Sequence, residues 1–304
     1  MSDPRRSAST ALAIGVLSIP IALLLAQIAL HAIGLALAQG TETHPADAAE
    51  EFFATTPGFF VAVLLGQGAF AAVLLLAIWH AGEAVRPRLG LALDRERWSH
   101  GLWIPLALGT LGVKLVSGFF LMPLFGSGEE YSGTLHGGIA SAGLAAAIVL
   151  VLLMSVLPAL IEEGLFRGFV LRGMLRAYSP GFAIAVSSLL FAFAHPDPSY
   201  AVLLVPLAWW LGWVSWRTNS IVPVMWCHFT NNFLGAAFGL ALSQSGFDPA
   251  QVDPAQSESI PFWIPAISTA MLVLGVLGYF RARSILQSLP EPPRPEPDQR
   301  TSRE

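Results

Sequence analysis

Of the chain's 304 residues, 54% are hydrophobic and only 12% are charged, where a soluble domain carries about 25% charged residues, so an integral membrane protein is expected. The 16 Lys and Arg against 20 Asp and Glu leave a net charge of −4 with no basic stripe, which argues against nucleic-acid binding, a task that needs a cationic face to displace phosphate counterions. The single cysteine, Cys227, rules out an internal disulfide and any Cys-x-x-Cys metal ribbon.

A helix needs about 20 apolar residues to cross a hydrocarbon core ~30 Å thick. That length predicts about eight spans: Ala11 to Ala38, Phe59 to Trp79, Leu102 to Leu124, Gly143 to Ile161, Phe182 to Ala194, Ala201 to Trp216, Ile221 to Leu242 and Phe262 to Phe280. The fifth and sixth are short. The runs are apolar throughout rather than alternating, which predicts an all-α, polytopic transmembrane bundle and not a barrel. The first run is too long for a signal peptide's usual 7–15 apolar residues and contains Pro20, so it is read as a helix.

Basic residues set the orientation. Arg5, Arg6, Arg86, Arg88, Arg95, Arg97, Arg167, Arg172, Arg176, Arg217, Arg281 and Arg283 fall on alternate sides of the count, whereas the opposite loops carry Glu42, Asp47, Glu50, Glu51, Glu129, Glu130, Asp248 and Asp253. Both termini are therefore expected in the cytoplasm. The helical domain is expected to occupy residues 1–288; residues 289–304, rich in Pro and Glu, are expected to form a disordered cytoplasmic tail.

A charge at the centre of a membrane helix costs about 3 kcal/mol on insertion scales, so each one kept there needs a partner or a purpose. Glu163 and Arg167 at the end of the fourth span are i and i+4 with the acid first, the favoured order for an intrahelical ion pair, while Glu162 points about 100° away and stays available for proton transfer. Taken alone, these charges could be the watery flank of a span. The turn Ser179-Pro180-Gly181 then starts a second helix that ends at His195, and an antiparallel hairpin brings Glu163 and His195 to similar height, about 22–26 Å from the turn. Arg172 and Arg176 would lie in the headgroup zone. Phe191 shares a face with His195, and the seventh span carries His228 and Asn232, also i and i+4. In isolation His195 reads as a helix-end histidine, and His228 with Asn232 as interhelical glue.

Together the set supports hydrolysis: Glu162 and His195 deprotonate a water that attacks a carbonyl, and His228 and Asn232 donate to the oxyanion. A metal such as zinc held by Glu162, His195 and His228 is the other arrangement compatible with these residue types, and spacing does not choose between them.

The series Glu162-Glu163-x-x-x-Arg167, Phe191-x-x-x-His195 and His228-x-x-x-Asn232 resembles, in order and spacing, the three motifs of the CPBP family, the CAAX-protease and bacteriocin-processing intramembrane proteases also called Abi proteins. The resemblance spans roughly Ile148 to Ala241 and implies a protease core at about 140–245. It implies that Glu162 activates water with His195, that His228 and Asn232 form the oxyanion hole, and that Glu163 and Arg167 support the site. The expected partners are membrane lipid and a peptide or lipidated-protein substrate; the expected location is the bacterial cytoplasmic membrane. The family is often labelled a metalloprotease, and a metal-free glutamate mechanism has also been proposed for its eukaryotic members.

Two rival functions stay open at this point. One is a proton-coupled transporter, since intramembrane Glu, His and Lys also mark proton relays. The other is a catalytically idle scaffold or immunity factor. Elsewhere, Lys114 is expected to snorkel or to reach water through a kink near Gly112 and Gly118, Cys227 to be a packed thiol, and Trp209, Trp210, Trp213 and Trp216 to form an interfacial belt.

Overall fold

The computed structural model describes residues 4–81, 85–91, 100–126, 142–195, 197–245 and 263–292. Arg95, Arg97, Glu129, Glu130, Asp248, Asp253 and the tail from residue 293 lie outside the described residues. The described residues form helices: α1 Pro4–Leu37, α2 Pro45–Phe53, α3 Thr56–Ala81, α4 Val85–Leu89, α5 Trp103–Phe125, α6 Leu144–Glu162, α7 Pro180–Phe193, α8 Pro198–Thr218, α9 Val222–Gln244 and α10 Trp263–Ser288. α6 runs on through a π-helical stretch, Glu163–Leu171, and a last turn, Arg172–Met174.

Each of the eight expected runs is a helix. Among the described residues, six helical stretches are long and apolar enough to cross a membrane: Ala8–Leu37, Thr56–His80, Trp103–Phe125, Leu144–Met174, Pro198–Thr218 and Trp263–Ser288. α7 has only 14 residues, and α9 places His228, Thr230, Asn231 and Asn232 mid-helix, which lowers its apolar content. The short α2 in the acidic segment after α1 was not expected; Pro45 starts it, and Asp47 in its first turn complements the helix dipole.

α5 and α10 approach at glycines. A Cβ on Gly112 would meet the Gly275 carbonyl at 2.4 Å, and a Cβ on Gly278 would meet the Leu108 Cβ at 2.4 Å. In lipid, where apolar burial alone does not drive association, such small-residue seams let backbones touch and gain dispersion contacts. Gly112 thus serves helix packing rather than the expected kink.

The core lies where α3, α5, α6, α7, α8 and α9 converge, around Leu106, Phe166, Phe169, Phe191, Leu211 and Val224. Trp210 belongs to it: the ring is buried, and Nε1 donates to Thr110 Oγ1 at 2.9 Å. The tryptophan belt therefore divides, with Trp209 exposed and Trp210 facing inward, because successive helical residues point about 100° apart. Two arginines expected at the membrane surface tie helix ends together. Arg172 donates to the Asn219 carbonyl at 3.3 Å and its Oδ1 at 3.0 Å. Asn219 ends α8 in the left-handed conformation (φ 51°), which Asn tolerates better than most residues. Arg217 donates to the Leu286 carbonyl at the end of α10, where a cation complements the dipole.

Candidate active site

The centre of the site is built by the π-helical stretch. Every residue from Glu163 to Leu171 is buried. The i→i+5 bonding of a π segment widens the helix, a distortion that recurs at functional sites. Glu163 and Arg167 form the expected i,i+4 pair, with Arg167 Nη1 3.3 Å from Glu163 Oε1 and both side chains fully buried. Arg167 Nη2 also donates to the Ala208 carbonyl at 3.1 Å, and the guanidinium lies 4.2 Å from the centroid of the Phe191 ring. A buried cation is tolerable only when paired and hydrogen-bonded, and this one is held by a carboxylate, a carbonyl and an aromatic face.

The same Glu163 oxygen lies 2.6 Å from His228 Nδ1, reaching from α6 to α9. This contact was not expected. The hairpin register sets Glu163 level with His195, but the imidazole on Glu163 is that of His228, while His195 Nδ1 faces the Phe191 carbonyl; one-dimensional spacing does not reveal a contact between α6 and α9. Asn232 donates from Nδ2 to the Met154 carbonyl at 3.2 Å, and its Oδ1 accepts from Asn231 at 2.9 Å, so it also ties α9 to α6.

On the other wall, the hairpin of α6 and α7 forms as the turn signal predicts. Ser187 donates to the Phe166 carbonyl at 2.8 Å across it. His195 follows α7, its Nδ1 3.1 Å from the Phe191 carbonyl. Capping of the next helix falls to Asp197, whose side chain accepts from the amides of Ser199 and Tyr200. Phe191 is the hub of these elements, with ring centroids 5.5 Å from Phe166, 5.4 Å from His195 and 5.7 Å from His228.

Glu162, also buried, turns toward α3 and accepts from Gln67 Nε2 at 2.9 Å. Its charge acts on His195 and on Tyr200, whose ring lies 5.6 Å from the imidazole. Gln67 and Tyr200 are the residues that motif reasoning missed. The one available signal for Gln67 was a lone amide between glycines in an otherwise apolar span.

Glu162, Glu163, Arg167, Phe191, His195 and His228 thus surround one centre, and Asn232 adjoins it one turn along α9. Among the described residues, no three His, Cys, Asp or Glu side chains are grouped to hold a metal ion. The Nδ1 atoms of His195 and His228 face the Phe191 carbonyl and Glu163. Glu162, His195 and His228 are not drawn together around one point in this arrangement, although the Nε2 of each imidazole is left as the nitrogen a metal would take, and no step below passes through one.

No curated protein and no solved structure matches the chain. Residues 144–234 match the family model of the Rce1-like type II CAAX prenyl endopeptidases, a stretch that runs from the start of α6 to two residues past Asn232 and contains every motif residue of the site. This membrane protein therefore carries an Rce1-like CAAX prenyl endopeptidase family domain.

Proposed function

We propose that the chain is an intramembrane endopeptidase that hydrolyses a peptide bond of a lipidated or membrane-associated peptide, reached from the cytoplasmic side. The observation that carries this reading is the buried Glu163 carboxylate joining Arg167 to His228 beside Phe191 and His195, with the neighbouring Glu162 held by Gln67. Polar groups this costly in a membrane bundle are kept where they bind or react.

In this reading Glu162, aided by His195, takes a proton from a water whose oxygen attacks the scissile carbonyl carbon. The carbonyl π electrons move to oxygen, and His228 Nε2 and the second Nδ2–H of Asn232 donate to the resulting oxyanion. In this reading His228 Nδ1 donates to Glu163, so Nε2 donates only when the ring carries a second proton, a charge the oxyanion itself offsets because Glu163 is already paired with Arg167. When the tetrahedral species collapses, the C–N bond breaks and the departing amine takes the proton held by Glu162 and His195.

The test is cleavage of a prenylated peptide by the purified full chain in lipid nanodiscs, beside Glu162→Gln and His195→Ala. General acid–base groups contribute about 10²–10⁴-fold, so each variant is expected to lose at least about 100-fold. Unchanged cleavage in both overturns the mechanism.

A further inference from the structure

α7 ends at Phe193 and α8 begins at Pro198, so His195 lies in the turn between two helices rather than inside one. Its backbone N–H donates to the Ala192 carbonyl at 3.1 Å, the tight i→i−3 bond of a closing helical turn. Its side-chain Nδ1 lies 3.1 Å from the Phe191 carbonyl. A carbonyl only accepts, so Nδ1 carries the proton of the neutral ring and Nε2 keeps the lone pair that a base needs. That bond sets the tautomer. It does not set the plane of the imidazole, which can still pivot about it and carry Nε2 away from the reacting water.

Two aromatic rings supply the missing constraint. Phe191 meets the imidazole from α7, with centroids 5.4 Å apart and planes at 58°, and Tyr200 meets it from α8, with centroids 5.6 Å apart and planes at 64°. Both contacts fall within the about 4.5–7 Å range of attractive, inclined aromatic pairs. Tyr200 is itself held by its backbone. It stands in the first turn of α8, where Asp197 Oδ1 caps the helix and accepts from the Ser199 amide at 2.8 Å and the Tyr200 amide at 3.1 Å. The ring packs against the central core, and the Glu162 charge acts on both Tyr200 and His195, which sets phenol and imidazole beside the same carboxylate.

We infer that Tyr200 is a positioning residue for His195: its ring, together with that of Phe191, fixes the imidazole plane so that Nε2 faces the water that Glu162 activates. The aromatic contact does this work, so a phenyl ring serves in place of the phenol. Tyr200 touches no reacting atom in this scheme and acts only through His195. Its removal therefore costs less than removal of His195, and costs nothing further once His195 is gone.

This inference rests on the protease reading and deepens it. The test is hydrolysis of a prenylated peptide by the full chain in lipid nanodiscs, with kcat counted per folded protein, for wild type, Tyr200→Leu, Tyr200→Phe, His195→Ala and the double variant of Tyr200→Leu with His195→Ala. Tyr200→Leu is expected to lower kcat by about tenfold, the upper end of what one aromatic contact contributes, with KM within about threefold of wild type. Tyr200→Phe is expected to recover kcat to within about threefold. In the His195→Ala background Tyr200→Leu is expected to change kcat by less than about twofold, because the two side chains act as one unit. Tyr200→Met repeats the comparison should the Leu variant fail to fold. Wild-type kcat in Tyr200→Leu, an equal loss in Tyr200→Phe, or the full loss persisting without His195 overturns the positioning role. A second readout needs no turnover: the ring resonances of His195 in chain carrying isotope-labelled histidine, assigned by their disappearance in His195→Ala. Tyr200→Leu is expected to broaden them as the ring gains motion, and Tyr200→Phe to keep them narrow. Broadening in Tyr200→Leu without hydrolysis by the wild type upholds the positioning role and overturns the protease reading; narrow resonances in Tyr200→Leu overturn the positioning role.

Discussion

Glu163 and His228 are 65 residues apart in the chain, yet Oε1 of one lies 2.6 Å from Nδ1 of the other at the buried junction of α6 and α9. One carboxylate oxygen thereby neutralises Arg167 on its own helix and orients an imidazole on another. Removing it strands a fully buried guanidinium. Breaking a buried pair by deleting one partner costs about 3–5 kcal/mol, so Glu163→Ala is expected to lower thermal stability by that order. Glu163→Gln, which keeps an acceptor for both neighbours, is expected to fold better than Glu163→Ala yet lose activity, because a neutral amide leaves the Arg167 charge unbalanced and holds the His228 ring less firmly than a carboxylate does. Thermal unfolding and peptide hydrolysis, measured on both variants, separate the two effects; equal stability of Glu163→Ala and wild type contradicts the account.

Gln67 contributes to the site from α3, which lies outside residues 144–234. Its Nε2 holds Glu162 Oε1 at 2.9 Å, and its own Oε1 is buried without a partner among the described residues. A hydrogen bond to a charged group is worth about 1.5–3 kcal/mol, or roughly 10–100-fold in rate if it is needed only to aim the carboxylate. Gln67→Met preserves length and removes the donor. Its kcat is expected to fall by about that factor while KM stays within about threefold. A Gln67→Met enzyme with wild-type kcat would show that Glu162 is aimed by other means.

The elements that could be read from the sequence are those whose information is local. Glu163 with Arg167 and Phe191 with His195 are i,i+4 pairs, and both form as spacing requires. Pro180 opens α7 and Pro198 opens α8, each at a position where the missing N–H costs nothing. What was illegible is long-range. Nothing in a one-dimensional pattern links Gln67 to Glu162, Glu163 to His228 or Lys114, expected to snorkel, to Gly235 on α9, where a Cβ would lie 3.4 Å from Nζ, because each depends on which helix faces lie together. The arginines show the same limit from the other direction: Arg172 and Arg217 have the composition of a membrane flank, but the helix ends they tie down were invisible until α8, α10 and the Asn219 turn were placed.

The donor arrangement also bears on metal dependence. The Nδ1 atoms of His195 and His228 face the Phe191 carbonyl and Glu163, and among the described residues no three-donor group is assembled. Prolonged dialysis against EDTA or 1,10-phenanthroline, followed by assay in chelated buffer, is expected to leave peptide hydrolysis within about twofold of its starting value, since no metal-ligated water is needed for general-base catalysis. Loss of activity that stoichiometric zinc restores would instead require Glu162, His195 and His228 to close around a common point, with each imidazole ligating through Nε2.

Phe191 brings the two histidines into one site, and its replacement tests whether ring packing or hydrogen bonding holds them. The ring is 2% exposed, supports the Arg167 guanidinium on one face at 4.2 Å and packs against His195, His228 and Phe166. Truncation to Ala removes a buried aromatic, a change that costs about 3–5 kcal/mol. It also withdraws a cation–π contact worth up to about 2 kcal/mol where the cation is desolvated. Phe191→Leu retains most of the volume and loses only the aromatic face. If packing alone positions the imidazoles, Phe191→Leu keeps near-wild-type hydrolysis. If the π face is needed to seat Arg167, and through it Glu163 and His228, Phe191→Leu folds but hydrolyses slowly, and Phe191→Tyr, which keeps the face, retains more activity than Leu. The chain from ring to guanidinium to carboxylate to imidazole is continuous at contact distance, so the second outcome is the one expected, and kcat for the Leu and Tyr variants beside their melting temperatures decides it.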